Sequence, residues 1–162
     1  MNIKINVAIL TKYEENANNF IKSICNNETR SIIYNNYEII IGDVWSTKNS
    51  YEQILEIAKK NDKLILLVDS VEGVTPKVSH LIEEIIKSNK LAIIVLNNVE
   101  NENANPEMAI EEIQHVLVMR KASDKQLDAP IVYVNQTEKK SRLDVEESMS
   151  NLNILYKAII KN

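Results

Sequence analysis

The segment Leu64–Leu96 has the sequence LILLVDSVEGVTPKVSHLIEEIIKSNKLAIIVL. It begins and ends with continuous runs of leucine, isoleucine, alanine and valine, Leu64–Val68 and Leu91–Leu96. Such runs are typical of strands that are buried on both faces of a parallel sheet. Between them lies an apolar stripe at helical spacing: Val78, Leu81, Ile82 and Ile85. The segment therefore predicts one strand–helix–strand unit of a parallel sheet.

The same alternation continues on both sides of this segment. Further runs of the strand type are Ile5–Leu10, Tyr37–Ile41 and Ile131–Val134. Further helical stripes are Tyr51, Ile54, Leu55 and Ala58; Ile110, Ile113, Val116 and Leu117; and Val145, Met149, Leu152, Tyr156 and Ile159. Ser31–Tyr34 can pair with the run at 37–41 through a tight turn at Asn35-Asn36. We predict an α/β sandwich of about six mostly parallel strands and five helices, with Ser31–Tyr34 antiparallel at the edge.

Four helix starts carry capping signals. Ser50 with Gln53, and Asp144 with Glu147, have the spacing of a capping box. Thr75-Pro76 and Asn105-Pro106 each place a capping side chain before a proline at the first helical position. These signals predict where four of the helices begin.

Size and composition exclude several classes of protein. The chain has 162 residues, so we predict a single domain spanning residues 1–162. The net charge of −4 gives no basic surface for autonomous nucleic-acid binding. The two histidines and single cysteine have no metal-site spacing, and Cys25 is predicted to pack as a small hydrophobe on a helix. Without a signal peptide or an apolar stretch of membrane-spanning length, the sequence predicts a cytoplasmic protein with no membrane partner.

Several stretches resemble the GTP-binding domain of the TypA/BipA translational GTPases. Leu67–Lys77, LVDSVEGVTPK, is similar to the VDAxEGxMPQT stretch of translational GTPases. ASDKQLDAPIVY at 122–133 resembles the family's ATDEQLDFPIVY, and LDVEESMSNLNILYKAI at 143–159 resembles LDxExMxxDMxPLYxAI. The similarities run in order from about Tyr34 to the C-terminus. The resemblance implies the P-loop NTPase, small-GTPase-like three-layer fold, with the ligand site beyond the carboxyl ends of the strands.

The phosphate loop of that family, GxxxxGK[ST], is rewritten here. In the family its backbone amides cradle the phosphates, its lysine neutralises them and its hydroxyl holds magnesium. The matching stretch places Asn16 at the second glycine, Ala17 at the lysine and Asn18 at the serine or threonine. Asn16 can adopt a left-handed conformation, so the shape of the loop can survive while its charge does not.

The charges around this loop oppose phosphate binding. Glu14 and Glu15 add negative charge. Between Cys25 and Ser31 the chain is much shorter than the family, which indicates that the first switch, with its magnesium-binding threonine, is missing. A phosphate would lose its strongest charge-assisted bond and gain repulsion, each worth about 1–3 kcal/mol. We therefore expect no catalytic residue and no bound metal here.

The family's DxxGH motif keeps only its aspartate, Asp43, which would hold magnesium from a loop after Ile41. Thr47 stands at the histidine and has no group that ionises near neutral pH. Trp45 lies between them. It is either a residue that anchors the loop to the core, or an exposed partner anchor or a plug in the empty cleft.

The guanine-recognising motif NKxD has the sequence Asn97-Asn98-Val99-Glu100. Asn97 is kept, but Glu100 displaces the carboxylate by one methylene and Asn98 lacks the stacking stem of a lysine. The fifth motif, SA in the family, begins here at Asn135. The nucleotide-binding positions that the resemblance assigns are Asn16, Ala17, Asn18, Asp43, Asn97, Asn98, Glu100 and Asn135.

Three functions remain open on the sequence alone. The first is a pseudo-GTPase that needs no cofactor and serves as a binding module for a protein or ribosome partner. The second is a weak GTP- or GDP-binding protein that uses magnesium and has slow or residual GTPase activity. The third is one half of an assembly that completes a site with a partner. We favour the first, because core and capping signals are intact beside a rewritten site.

Overall fold

The computed structural model describes residues 1–25 and 29–162, and in them one sheet lies between two layers of helices. The strands are β1 (Ile3–Thr11), β2 (Ser31–Tyr34), β3 (Tyr37–Trp45), β4 (Lys63–Asp69), β5 (Ala92–Asn97), β6 (Ile131–Asn135), β7 (Lys140–Leu143) and β8 (Ser150–Asn151). The helices are α1 (Glu14–Ile24), α2 (Gln53–Lys60), α3 (Pro76–Lys87), α4 (Pro106–Met119), α5 (Asp124–Leu127) and α6 (Asn153–Lys161).

The sheet has the order β2-β3-β1-β4-β5-β6-β7-β8. Strands β3, β1, β4, β5 and β6 are parallel, and β2, β7 and β8 are antiparallel. The α/β class and the antiparallel edge strand β2 are confirmed, as is the tight turn, where Asn35 has a φ of 54°. The described residues form eight strands and six helices, rather than the expected six and five.

Each face of the sheet carries its own core. Helices α1 and α6 cover one face, where Phe20 and Ile159 are fully buried against the strands. Helices α2, α3 and α4 cover the other face, where Trp45, Ile54 and Leu81 are buried. Burying one such large apolar side chain contributes about 1.5–3 kcal/mol, so the two cores hold the strand ends in fixed positions.

Two of the four predicted helix starts are confirmed. The side chain of Thr75 accepts a hydrogen bond from the Val78 amide, and that of Asn105 accepts one from the Met108 amide. The capping box at Ser50 is wrong, because α2 begins without a side-chain cap and the Ser50 hydroxyl accepts from the Glu52 amide instead.

The predicted helix start at residues 144–147 is also wrong. The Arg142 guanidinium lies over the Tyr133 ring, 4.1 Å from its centroid, and donates to the carbonyls of Leu143 and Glu146. These bonds hold the segment as a turn, and Val145 is 82% exposed rather than part of a buried stripe. Helix α6 therefore starts only at residue 153.

Three elements were not predicted, β7, β8 and α5, and in two of them buried polar side chains make the stabilising contacts. In β7, the buried Ser141 hydroxyl donates to the Asn151 carbonyl of β8 at 2.7 Å. Helix α5 begins with a capping box between Ser123 and Gln126. The buried Gln126 side chain donates to the carbonyl of Lys90 at 3.1 Å and to that of Ile85 at 3.3 Å, at the end of α3.

Cys25 is buried as predicted, but it follows α1 as its C-cap rather than lying within the helix. Burial raises the pKa of its thiol to about 11, so the thiol stays protonated at neutral pH and is a poor nucleophile. Among the described residues, no helix combines the length and apolar character needed to cross a membrane.

Candidate functional site

The candidate site is the edge of the sheet at which the parallel strands β1, β4, β5 and β6 end. In sheets of this kind, ligands bind beyond the carboxyl ends of the strands. Seven of the eight positions that the resemblance assigns to nucleotide binding lie at the ends of these strands or in the loops and the helix that follow them, and the eighth, Asp43, lies within β3. Their geometry determines what that edge can hold.

The loop after β1 is too short to form a phosphate cradle. Only Lys12 and Tyr13 separate β1 from α1, which begins at Glu14. The amides of Asn16 and Ala17 donate to the Tyr13 carbonyl, at 3.1 and 3.4 Å. Asn16 is therefore helical, and the expected left-handed loop is wrong: the backbone amides that would cradle a phosphate make helical hydrogen bonds instead.

The early start of α1 also determines where the side chains of Ala17 and Asn18 lie. Ala17 stands where the family has its lysine, and it is fully buried in the core beneath α1. A side chain at this position points into the core and away from solvent. Asn18 lies one residue further along α1 and is half-buried.

Two charged side chains at and just before the start of α1, Glu14 and Lys12, form ion pairs. Glu14 and Glu15 lie in the first turn, where carboxylates interact favourably with the helix dipole. Lys48 forms an ion pair with Glu14, and Lys12 forms one with Glu72 from the loop after β4. The hydrogen bond to Glu72 raises the pKa of Lys12, so the lysine is charged and already paired.

The loop after β3 is bound to the loop after β1. The Thr47 hydroxyl donates to the Lys12 carbonyl at 2.7 Å, and the Thr47 amide donates to the same oxygen at 3.2 Å. Trp45 is buried, and its indole N–H donates to the Ser50 carbonyl at 2.9 Å. These contacts support the interpretation of Trp45 as a loop anchor, and its burial excludes the exposed partner anchor, whereas the plug in the cleft stays a prediction.

Asp43 lies away from this edge. It is part of β3, opposite Ala8 of β1, rather than in a loop as expected. Ala8 precedes Thr11, the last residue of β1, by three positions, which is about 10 Å at the usual rise of a strand. The Asp43 carboxylate accepts from the Asn61 side chain at 2.7 Å and lies 3.5 Å from the Lys60 ammonium. The Asp43 carboxylate therefore binds residues at the C-terminal end of α2.

Asn97 connects three elements at the site. Its side-chain nitrogen donates to Oδ1 of Asn16 in α1 at 2.8 Å and to Oε1 of Gln136 after β6. An amide group has two N–H donors, and both are used here. Asn97 is fully buried, and its Oδ1 has no hydrogen-bond partner among the described residues. We refer to Asn16, Asn97 and Gln136 as the amide clasp.

The remaining base-recognition positions face elsewhere or hold turns. Asn98 has a φ of 59° and begins a turn closed by the Asn101 amide. Glu100 is exposed in that turn and makes no hydrogen bond or ion pair with a described residue. The Asn135 side chain accepts from the Glu138 amide at 2.9 Å and so shapes the turn between β6 and β7.

As placed, these residues do not fit a guanine nucleotide with magnesium. The phosphate position offers helical amides and two glutamates, the amide clasp occupies the base position, and the Asp43 carboxylate is already bound by the side chains of Asn61 and Lys60. Within residues 1–25 and 29–162, no group of three or more histidine, cysteine, aspartate or glutamate side chains could hold a metal ion.

The sequence predicts that Asn16, Asn97 and Asn135 lie at one edge of the sheet, and the structure places them there. Sequence reasoning missed Thr47 as a tie between loops and Gln136 and Glu72 as partners that close the site. A capping signal between Lys12 and Glu14 would have warned of an early helix, but Tyr13 provides none. The pairing of Asn97 with two distant amides has no local signal in the sequence.

The strand order and the helix after β1 define the P-loop GTPase class of fold. The crystal structure of a single-residue variant of Aquifex aeolicus Era, bound to GDP and AlF4−, aligns with a TM-score of 0.67 and 17% identity, over 98% of this chain and 56% of that one. The apo crystal structure of the elongation factor SelB from Methanococcus maripaludis aligns with a TM-score of 0.64 and 16% identity, over 85% of this chain and 31% of that one.

Sequence similarity points to one group within this class. The chain is 30% identical over 131 residues to the large ribosomal subunit assembly factor BipA of Buchnera aphidicola subsp. Schizaphis graminum, covering 81% of this chain and 22% of that protein. It is 28% identical over 110 residues to the Bacillus subtilis BipA, covering 68% and 18%. The resemblance to the GTP-binding domain of TypA/BipA is thus confirmed. The chain spans about a fifth of the length of these relatives, and no family model matches it.

Proposed function

We propose that this chain is a pseudo-GTPase: a G-domain fold that binds no nucleotide and acts as a binding module for a protein or ribosome partner. The amide clasp carries the proposal. It uses both N–H donors of Asn97 within the chain, at the position where the family recognises guanine. The early start of α1 supports it further, because the amides of Asn16 and Ala17 are hydrogen-bonded inside the helix.

The partner and the compartment are proposed from the relatives. Those proteins are named large ribosomal subunit assembly factors. We propose a ribosomal or ribosome-associated partner in the cytoplasm, reached through a surface of the G-domain fold rather than through nucleotide-driven switching. Residues 1–162 are proposed to form one domain with this role.

Isothermal titration of the purified chain with GDP, GTP and ATP in magnesium buffer tests the proposal. We expect no binding heat at high-micromolar ligand. The matched positive control is the GTP-binding domain of the Bacillus subtilis relative, titrated in the same buffer. Saturable heat with GDP or GTP, but not with ATP, would refute the pseudo-GTPase proposal.

A weak guanine-nucleotide-binding protein with residual GTPase activity is the second candidate. One observation favours it: Oδ1 of Asn97 is buried and unpartnered among the described residues, so the site retains a free acceptor. This candidate predicts magnesium-dependent GDP binding that is lost in Asn97→Ala and Glu100→Ala. A flat titration of the unmodified chain eliminates it.

A further inference from the structure

A groove of about 430 Å³ lies between the start of α3, with the loop before it, and the exposed face of α4, and its lining includes none of the positions that the resemblance assigns to nucleotide binding. Its lining combines apolar side chains with carboxylates and one imidazole: Val74, Pro76, Val116, Glu111, Glu112 and His115. We call this surface the acidic groove. Its apolar part can bury a side chain from a partner, and its carboxylates select the charge of that partner.

The stretch of chain that supplies the α4 side of the groove carries formal charge of one sign. Between Lys90 and Arg120 the sequence contains no lysine or arginine, whereas it contains five glutamates: Glu100, Glu102, Glu107, Glu111 and Glu112. Arg120, which ends this stretch, is paired with Glu83 at 2.9 Å. Lys77 is next to Pro76 in sequence but is not among the lining residues.

The carboxylates of the groove are free to bind. Glu111 and Glu112 make no hydrogen bond or ion pair with a described residue. The carboxylate of Glu112 lies beside Gly73, where a Cβ would be 3.5 Å from its Oε1. Two unpaired carboxylates one residue apart create a negative potential that a cationic side chain relieves.

An exposed apolar residue extends the same face. Met108 is 55% exposed in the first turn of α4. Glu111, Glu112 and His115 follow it by three, four and seven residues, so all four share one face of the helix. The surface therefore offers an apolar contact at one end and paired carboxylates beside it, which is the chemistry of a site for a basic, partly apolar protein segment.

We propose that the acidic groove binds a lysine- or arginine-bearing segment of a partner protein, with an apolar side chain of that segment in the groove. The proposal rests on the proposed function, since it states what the binding module recognises. The same charges repel the phosphate backbone of RNA, so the contact made by this face is with protein.

The first test uses fluorescence anisotropy with a short labelled peptide of lysine and leucine. We expect binding by the unmodified chain, and a loss of affinity of about fivefold or more in the double variant Glu111→Gln/Glu112→Gln. Met108→Ser is expected to weaken binding as well. The matched control is Asp144→Asn/Glu147→Gln, which removes two exposed carboxylates elsewhere and is expected to leave the affinity unchanged. A glutamate–leucine peptide and a single-stranded RNA of similar length are expected not to compete.

Three results would overturn the acidic groove as the site. The first is equal affinity of the basic peptide for the unmodified chain and for Glu111→Gln/Glu112→Gln. The second is absence of peptide binding, and the third is displacement of the peptide by the RNA. Circular dichroism of each variant establishes that it is folded, and the exposed positions of Glu111 and Met108 favour that outcome.

Sedimentation with purified large ribosomal subunits separates this inference from the proposed function. If the chain sediments with the subunits and the groove variant does not, both stand. If the unmodified chain and the groove variant sediment equally, the proposed ribosome partner stands and the proposed groove site is overturned. If neither of them sediments with the subunits but the peptide binds selectively, the groove site stands and the ribosome partner is overturned.

Discussion

The side-chain nitrogen of Asn97, at the end of β5, donates to Oδ1 of Asn16 in α1 across 2.8 Å. The two residues are far apart in sequence and belong to different layers of the fold. Gln136 accepts the second N–H of the same amide. The two bonds therefore join three separate segments at the carboxyl edge of the sheet, so the residues of the candidate site also stabilise the fold.

Asn97→Ala is expected to destabilise the chain by about 1–3 kcal/mol, because it removes two hydrogen bonds of a fully buried amide. Chemical denaturation followed by the fluorescence of the single tryptophan measures this loss. Asn103→Ala removes an exposed asparagine side chain that bonds to no described residue, and it should change the stability by less than about 0.5 kcal/mol. An Asn97→Ala variant as stable as this control would show that the amide clasp contributes nothing.

Asn16→Ala and Asn97→Ala are expected to be coupled. If the bond between the two side chains exists, the double variant should lose less stability than the sum of the single losses, by about 0.5–1.5 kcal/mol. The measurement is a double-mutant cycle of unfolding free energies at one pH and salt concentration. Strict additivity would mean that the two amides do not interact in solution.

Gln126→Ala is expected to cost about 1–3 kcal/mol, which is large for a residue of a four-residue helix. Its side chain is buried and donates to the carbonyls of Ile85, Ile86 and Lys90, so the end of α3 loses its partners when it is removed. The neighbouring Lys125→Ala is the control, because Lys125 is exposed and makes no hydrogen bond to a described residue. Equal melting temperatures of the two variants would contradict the prediction.

The parallel sheet could be predicted because its strands are short, continuous apolar runs that alternate with helical stripes, which is the pattern of strands buried on both faces. The antiparallel strands β7 and β8 could not be predicted. The sequence of β7 is Lys-Ser-Arg-Leu, and because its buried residue is a serine, it shows no apolar run. The predicted start of α6 was wrong because the Arg142 side chain, which lies over the Tyr133 ring of β6, donates to the carbonyls of Leu143 and Glu146 and holds these residues as a turn, and no capping pattern reveals that contact. At the site, the sequence identified Asn97 but not its partners, because a hydrogen bond between remote side chains leaves no spacing to detect.

Tyr156 predicts a loss of stability at alkaline pH. Its hydroxyl donates to the Ile24 carbonyl at 2.7 Å, and burial raises its pKa from 10.0 to about 12. Because the folded pKa exceeds the unfolded one, the stability that this group contributes is complete below pH 10 and falls as the pH rises toward about 12.

Comparison with Tyr156→Phe isolates this effect. At pH 8 the unmodified chain should be more stable than the variant by about 0.5–1.5 kcal/mol, the usual contribution of one hydrogen bond. Above pH 10 the difference should shrink, because only the unmodified chain carries the phenol that ionises on unfolding. Tyr37→Phe, which removes a hydroxyl that bonds to no described residue, corrects for the other tyrosines. A difference that is independent of pH would contradict the assignment.

Rebuilding the family's phosphate-loop residues is expected not to restore nucleotide binding. The triple variant Asn16→Gly, Ala17→Lys and Asn18→Thr supplies the missing side chains, but α1 still begins at Glu14 and its amides remain in helical bonds. A lysine at position 17 would have to enter a fully buried site, and Asn16→Gly removes the hydrogen bond between Asn16 and Asn97, so the variant should lose several kcal/mol of stability. Titration with GDP and thermal unfolding measure the two effects.

The isolated Asn18→Thr variant is the control, since position 18 is half-buried and tolerates a side chain. Saturable GDP binding by a stable triple variant would mean that sequence, rather than the position at which α1 starts, had closed the site.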